Sequence, residues 1–275
     1  MNTLIAPDLD ALSRPIGLRA AQVALFLDFD GTLVELAERP ELVTVPPGLP
    51  SMLTRLEHRL GGALAIVTGR SLDVVDAFLA PARLPTAAAH GTEGRTAGGA
   101  SFGPSARDTE AVERIVERLA PLVAREPRLL LEKKAGAASL HFRQAPELEA
   151  LCREAMDTAI TGEMGLEVVD GKCVLEARPS GIDKGTAILR LMQQPPFRGR
   201  LPVFFGDDRT DEDGFDAMRT VGGIAVKVGR GATSAAYRIP SVSGVLQLLE
   251  RLSEADIPAE ELAGHLAATT NEARV

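Results

Sequence analysis

Tryptophan is absent from the 275 residues, tyrosine occurs once, and aromatic residues make up 4% of the chain. Sugars and nucleobases are therefore not expected to be read on stacked aromatic platforms; a polar ligand must be read by hydrogen bonds and charges. Cysteine is also scarce. Cys152 and Cys173 are too few for a disulfide framework and are not spaced as a CxxC pair, so both are expected to be small buried residues in a reducing compartment. No apolar run approaches the ~20 residues of a membrane span. The longest runs, Val23–Leu27 and Val203–Phe205, read as buried strands. Asp8 and Asp10 stand where a secretory signal would have a basic start and an apolar middle, which points to a cytoplasmic protein. Positive charge is in deficit, with 30 Lys and Arg against 38 Asp and Glu, a formal net charge of −8. Nucleic-acid backbones and anionic membranes need a positive field, so neither is expected as a partner. A local cationic pocket for a small anion remains compatible with this balance.

What the chain has is alternation. The apolar runs Val23–Leu27, Ala63–Val67, Pro202–Phe205 and Gly223–Val228 alternate with helical spacings such as Met52, Leu53, Leu56, Leu60 and Val242, Val245, Leu246, Leu249, Leu252. Such alternation predicts an α/β fold with a mainly parallel sheet covered on both faces, whose ligands bind beyond the carboxyl ends of the strands. The middle differs. Ser105–Arg125 and Pro146–Ile160 read as helices, while Leu129–Lys134, Ser139–Arg143, Leu166–Asp170 and Cys173–Arg178 read as strands. This predicts an α+β module at 104–179 inserted into a core made of 1–103 and 180–275. Hinges are expected at Thr96–Pro104 and Pro179-Ser180-Gly181. The last ~20 residues are polar and Ala-rich and read as a weakly docked helix or a frayed end.

The sharpest chemical pattern is Leu27-Asp28-Phe29-Asp30-Gly31-Thr32-Leu33, directly after the first strand. Asp28 points into the ligand crevice, and the glycine turn can bring the Asp30 carboxylate back toward it. Like charges so close need a cation or a shared proton. Taken alone, Asp-x-Asp-Gly is also how a strand ends in a solvated turn; an EF-hand loop is excluded by Thr32 at its fifth position. A second acidic cluster, Gly206-Asp207-Asp208-Arg209-Thr210-Asp211-Glu212-Asp213, follows a later strand. Carboxylates without His or Cys partners suit a hard cation, and Mg²⁺ fits best. The preference of acids for a first helical turn accounts for Glu212 and Asp213 better than for Asp207 and Asp208. Thr68-Gly69-Arg70-Ser71 ends the second strand, where a hydroxyl and N–H groups can grip phosphate or simply turn the chain. Lys184 stands at a helix start against the dipole, a placement suited to an anion in the crevice.

Together, these four pieces resemble the haloacid dehalogenase superfamily of phosphohydrolases. The resemblance implies a Rossmann-like parallel-sheet core with an inserted α+β cap domain. It implies that Asp28 attacks phosphorus to form an aspartyl-phosphate. Asp30 then protonates the leaving oxygen and later takes a proton from water. Mg²⁺ would be held by Asp28, the Asp30 carbonyl and Asp207. Thr68, Gly69 and Lys184 would hold the phosphoryl oxygens, with Asp208 and Asp211 orienting the metal or its waters.

In the insert, strand alternation turns Leu131, Leu140, Phe142, Leu175 and Ala177 toward the helices. Glu132, Lys134, His141, Arg143, Glu176 and Arg178 then share the opposite face. That face is either a solvated sheet surface or a charged lid that reads hydroxyls and excludes water. The pieces Leu-Glu-Lys-Lys (131–134), His-Phe-Arg (141–143), Glu-Ala-Arg-Pro (176–179) and His-Gly-Thr-Glu-Gly-Arg (90–95), with the catalytic motifs, look like the trehalose-6-phosphate phosphatase family. By that resemblance Glu132, Lys134, Arg143 and Glu176 contact the distal glucose of a small sugar phosphate, in trehalose biosynthesis. A synthase partner is left open. His90, Gly91 and Glu93 either line the sugar pocket or form a plain turn. Ala135-Gly136-Ala137-Ala138 departs from the family pattern, and the hairpin register is open there. The alternatives are a phosphatase of sucrose 6-phosphate or a mannosyl phosphate, and a non-catalytic sugar-phosphate-binding regulator. Asp28, Asp30 and Lys184 together argue against the regulator, because binding alone needs no nucleophile beside a proton shuttle.

Overall fold

The computed structural model describes residues 17–37, 39–171 and 173–269. Asp8, Asp10 and the final six residues lie outside the described residues. The core sheet is built on β1 (Val23–Leu27), β2 (Leu64–Val67), β3 (Thr86–Ala88), β10 (Leu201–Gly206), β11 (Ile224–Val228) and β12 (Tyr237–Ile239), which run parallel in the spatial order β12-β11-β10-β1-β2-β3. β1, β2 and β11 are buried at every residue, which requires cover on both faces and explains their apolar sequences, broken only by Lys227 in β11. That cover comes from α1 (Leu49–Arg59) packed with α7 (Val242–Glu254), and from α5 (Lys184–Met192) packed with α6 (Glu212–Val221). α2 (Leu72–Leu79) lies beside β3.

Three short antiparallel strands extend the sheet: β4 (Glu93–Arg95) and β5 (Ser101–Phe102) beyond β3, and β13 (Ala267–Ala268) beyond β12. The C-terminal region is docked, with Ile257, Leu262 and Leu266 buried around α8 (Ala259–His265). No helix among the described residues is long and apolar enough to cross a membrane.

Between β5 and α5 the chain forms a separate unit. A four-stranded antiparallel sheet in the order β6-β7-β9-β8 comprises β6 (Leu130–Lys134), β7 (Ala137–His141), β8 (Leu166–Gly171) and β9 (Val174–Pro179). α3 (Ala106–Arg125) and α4 (Glu149–Ile160) pack on it around Val112, Ile115, Leu140, Met156 and Leu175. Ser105 and Asp108 close a capping box at the start of α3.

The hairpin register resolves two residues earlier than the sequence reading of Ser139–Arg143. Ala137 and Ala138 belong to the strand, opposite Lys134 and Lys133, and the turn is only Ala135-Gly136. Two-residue connections are the tightest hairpins, and Gly136 supplies the positive φ of +70°. The end of β7 recedes accordingly, so Arg143 falls beyond it in an exposed turn. Cys152 is buried, but Cys173 is only half-buried. It occupies a left-handed position, φ +60°, just before β9, and packs partly against the core of this unit.

Candidate active site

The register of the parallel strands brings several chain ends to one edge. Leu27 lies opposite Phe205 and Ile66, and Val67 lies opposite Ala87. Asp28, Asp207, Thr68 and the Ala89-His90 turn therefore emerge side by side.

Lys184 opens α5, whose N-cap Asp183 accepts the Thr186 N–H at 2.7 Å. The Lys184 Nζ donates to Asp28 Oδ1 at 2.8 Å and to Asp211 Oδ1 at 2.7 Å, and all three side chains are buried. Asp211 Oδ2 in turn accepts the N–H groups of Asp207 and Asp208 at 2.9 and 3.0 Å. Its two oxygens are thus already engaged in holding the late acidic loop. Asp208 turns away to accept the Thr210 N–H at 2.8 Å. Two glycines allow this crowding. A Cβ on Gly31 would overlap the Asp207 carboxylate, and one on Gly206 would overlap Asp211.

Carboxylate oxygens of Asp28, Asp207 and Asp211 lie within 4.8 Å of one another. One ammonium does not balance three carboxylates. Burial, then Asp211 and Asp208, push Asp207 up to about 7. Burial also raises Asp28, against the pull of Lys184. Burial opposes the charge on Lys184, but Asp211 and Asp28 outweigh it and hold the ammonium protonated. An all-oxygen donor set with surplus negative charge fits a hard divalent cation such as Mg²⁺, for which Asp28 and Asp207 could supply carboxylates.

Asp30 stands apart from this cluster. Its carboxylate accepts Arg70 Nε at 2.6 Å and Arg70 Nη2 at 2.7 Å. The guanidinium lies 5.0 Å from the centre of the Phe78 ring and 5.8 Å from that of Phe29. Thr68 is buried, and its Oγ1 accepts the Arg70 N–H at 3.1 Å, which leaves the hydroxyl proton for another oxygen. The Ala89-His90 turn is stitched to this loop by Ala89 N–H to Arg70 O and His90 N–H to Thr68 O, at 2.8 and 2.9 Å. Both turn residues have positive φ, +45° and +57°, a conformation that costs energy outside glycine. The His90 ring lies against Gly69, where a Cβ would meet it at 2.7 Å. Gly91 faces α5 instead, since a Cβ there would meet Ala187 at 2.8 Å. Glu93 caps α2 by accepting the Leu72 N–H at 2.9 Å.

The second unit reaches this edge through its polar face. Glu176 Oε2 accepts Ser139 Oγ at 2.8 Å and Lys134 Nζ at 3.2 Å. Its Oε1 stands 3.7 Å from His90 Nε2, an electrostatic contact between the two units. Glu132 pairs with His141 at 3.0 Å. Arg178 is buried beside Glu167, at 3.6 Å. Arg143 makes no side-chain hydrogen bond or ion pair among the described residues.

Three residues absent from the sequence-derived site belong to it by position. Arg70 sits in the quoted Thr-Gly-Arg-Ser motif, but its partner lies 40 residues away. Ser139 shares the parity of His141 in the strand as read, so the alternation was the available signal. Lys227 is buried in β11, opposite Gly206, and its charge works to lower Asp207. A lysine inside the apolar strand Ile-Ala-Val-Lys-Val was the available signal.

Comparison with known proteins agrees with this arrangement. Residues 26–243 match the Trehalose-phosphatase family. The trehalose-6-phosphate phosphatase of Escherichia coli (strain K12) is 42% identical over 238 residues, 86% of this chain and 88% of the relative. A probable trehalose-phosphate phosphatase of Sinorhizobium fredii is 39% identical over 233 residues, 84% of this chain and 87% of the relative. A solved structure described as a trehalose-6-phosphate phosphatase related protein superposes with a TM-score of 0.72 at 28% identity, covering 84% of this chain and 97% of that one. The parallel core with its added unit is the haloacid dehalogenase phosphatase fold, and the chain belongs to the trehalose-phosphatase family, whose members are phosphoric monoester hydrolases.

Proposed function

We propose that this protein hydrolyses trehalose 6-phosphate to trehalose and phosphate, with Mg²⁺ and through an aspartyl-phosphate on Asp28. The observation that carries this reading is the buried Lys184 bridge between Asp28 and Asp211, next to Asp207. A simple anion-binding site has no use for a desolvated carboxylate that would repel phosphate. A nucleophile needs one, with an adjacent cation to favour its ionised form.

Lys184 occupies Asp28 Oδ1, which leaves Oδ2 to attack phosphorus. The Asp28–phosphorus bond forms as the phosphorus–sugar oxygen bond breaks. Asp30, held in place by Arg70, gives a proton to the departing oxygen. Water then attacks phosphorus, Asp30 takes its proton, and the Asp28–phosphorus bond breaks to release phosphate. Thr68 Oγ1, the Gly69 N–H and Lys184 donate to the phosphoryl oxygens throughout. Mg²⁺ bound by Asp28, the Asp30 carbonyl and Asp207 would supply neutralisation of the phosphoryl charge, with Asp211 and Asp208 shaping the loop that carries Asp207. The polar face of residues 104–179 acts as the lid, with Glu132, Lys134 and Glu176 receiving the hydroxyls of the distal glucose and His90 at the seam. Arg143, exposed in its turn, would join only from the rim.

The test is phosphate release from a panel of trehalose, sucrose, glucose and mannosyl phosphates, with Mg²⁺ and with chelator. Selective hydrolysis of trehalose 6-phosphate, lost with chelator, is expected. Equal rates across the panel, or activity that survives chelation, would refute it.

A further inference from the structure

Glu176 is held asymmetrically. One oxygen, Oε2, is taken by two donors of its own sheet, Ser139 at 2.8 Å and Lys134 at 3.2 Å. The other, Oε1, is turned toward the core at His90. Lys134 has a second carboxylate within reach, Glu132 at 3.8 Å, so the lysine alone does not fix which acid it serves. Ser139 does. It is fully buried, it lies directly between Glu132 and Glu176 in the sheet register, and its hydrogen bond goes to Glu176. A hydroxyl at 0% exposure cannot itself reach a ligand in this arrangement. It acts on the carboxylate beside it.

We infer that Ser139 is a positioning residue for sugar recognition: it locks Glu176 Oε2 so that Oε1 is presented across the seam to a hydroxyl of the distal sugar. This rests on the trehalose 6-phosphate reading above. Without Ser139 only Lys134, which has Glu132 as a second partner, holds Oε2, and the sugar loses a preformed acceptor. A neutral donor to a carboxylate contributes enough to matter on this scale, roughly tenfold in affinity.

The experiment compares wild type, S139A, E176Q and the double variant on trehalose 6-phosphate and on p-nitrophenyl phosphate, with thermal melting to establish folding. S139A is expected to raise KM for trehalose 6-phosphate about tenfold with kcat within about twofold, so that the ratio of kcat/KM values for the two substrates falls about tenfold. In the E176Q background the serine substitution should add little, because the two act as one unit. If S139A does not fold, S139C, similar in size and a weak donor, is read the same way. Equal losses on both substrates, full additivity with E176Q, or an unchanged ratio would overturn the role of Ser139. Failure of the wild type to hydrolyse trehalose 6-phosphate would instead overturn the substrate reading.

Discussion

Arg70 clasps Asp30 at two points, 2.6 and 2.7 Å, while Asp28, two residues earlier, is held by Lys184. Two carboxylates of one short loop are thus given different cations and different surroundings, which suits the proposed division between acid–base work and nucleophilic attack. Arg70 also leans on Phe29 and Phe78, so the clasp is stiff. Arg70→Met should lower kcat on the sugar phosphate by about 10–100-fold, part of what a positioned general acid contributes, with a smaller change in KM. Steady-state kinetics at saturating Mg²⁺ check this, and an unchanged kcat would show the clasp to be idle.

Asp28→Asn and Lys184→Met should both abolish turnover, by at least ~10³-fold, yet part company in stability. Removing the Asp28 charge relieves a buried anion and should leave the fold intact. Removing the lysine leaves Asp28 and Asp211 buried and unpaired, a loss of about 3–5 kcal/mol. Urea denaturation separates the two. A Lys184→Met variant as stable as the wild type would contradict the ion-pair account.

Surplus negative charge at Asp28, Asp207 and Asp211 should make stability depend on Mg²⁺. At a concentration about 100 times Kd, binding to the folded state adds about 2.7 kcal/mol, visible as a rise in Tm that chelator reverses. Asp207→Asn should remove most of the rise. A wild-type Tm indifferent to Mg²⁺ would count against the cation site.

Burial moves His90 down to about 4, despite Glu176 nearby. In the unfolded chain a histidine takes its proton near 6.5. As pH falls, the unfolded state therefore binds the proton first and stability is lost. The contribution is complete above about pH 6.5 and declines toward pH 4, by on the order of 3 kcal/mol. His90→Gln should flatten the stability curve across that window, measured by denaturation at stepped pH. A parallel curve would place the titrating group elsewhere.

Strands buried on both faces were legible because nothing polar interrupts β1 and β2 and only Lys227 interrupts β11. β1 lies at Val23–Leu27 as read, and β2 and β11 begin one residue later than read. The edge strands β4, β5 and β13 were not read, since two or three residues carry no periodicity. In the hairpin, β7 begins two residues earlier than read. A slip of two preserves the alternation, so Leu140 still faces inward and His141 outward, while Arg143 loses its strand. The meeting of Asp28, Lys184 and the late acids follows from strand ends sharing one edge. The pairing of Asp30 with Arg70 does not, because no local pattern joins residues 40 apart.

Gly136 packs the hairpin tip against Thr92 and Pro104, with a Cβ there 2.6 and 2.7 Å from them, so the second sheet meets the core at its hairpin tip. Lys134 is the polar-face residue nearest that tip, and Glu132, Ser139 and Glu176 share the next pleat along. The Glu176 carboxylate nonetheless reaches His90 on the core, so the two units touch at two points, and any side chain at position 136 would part Glu176 from His90 as it lifts the tip.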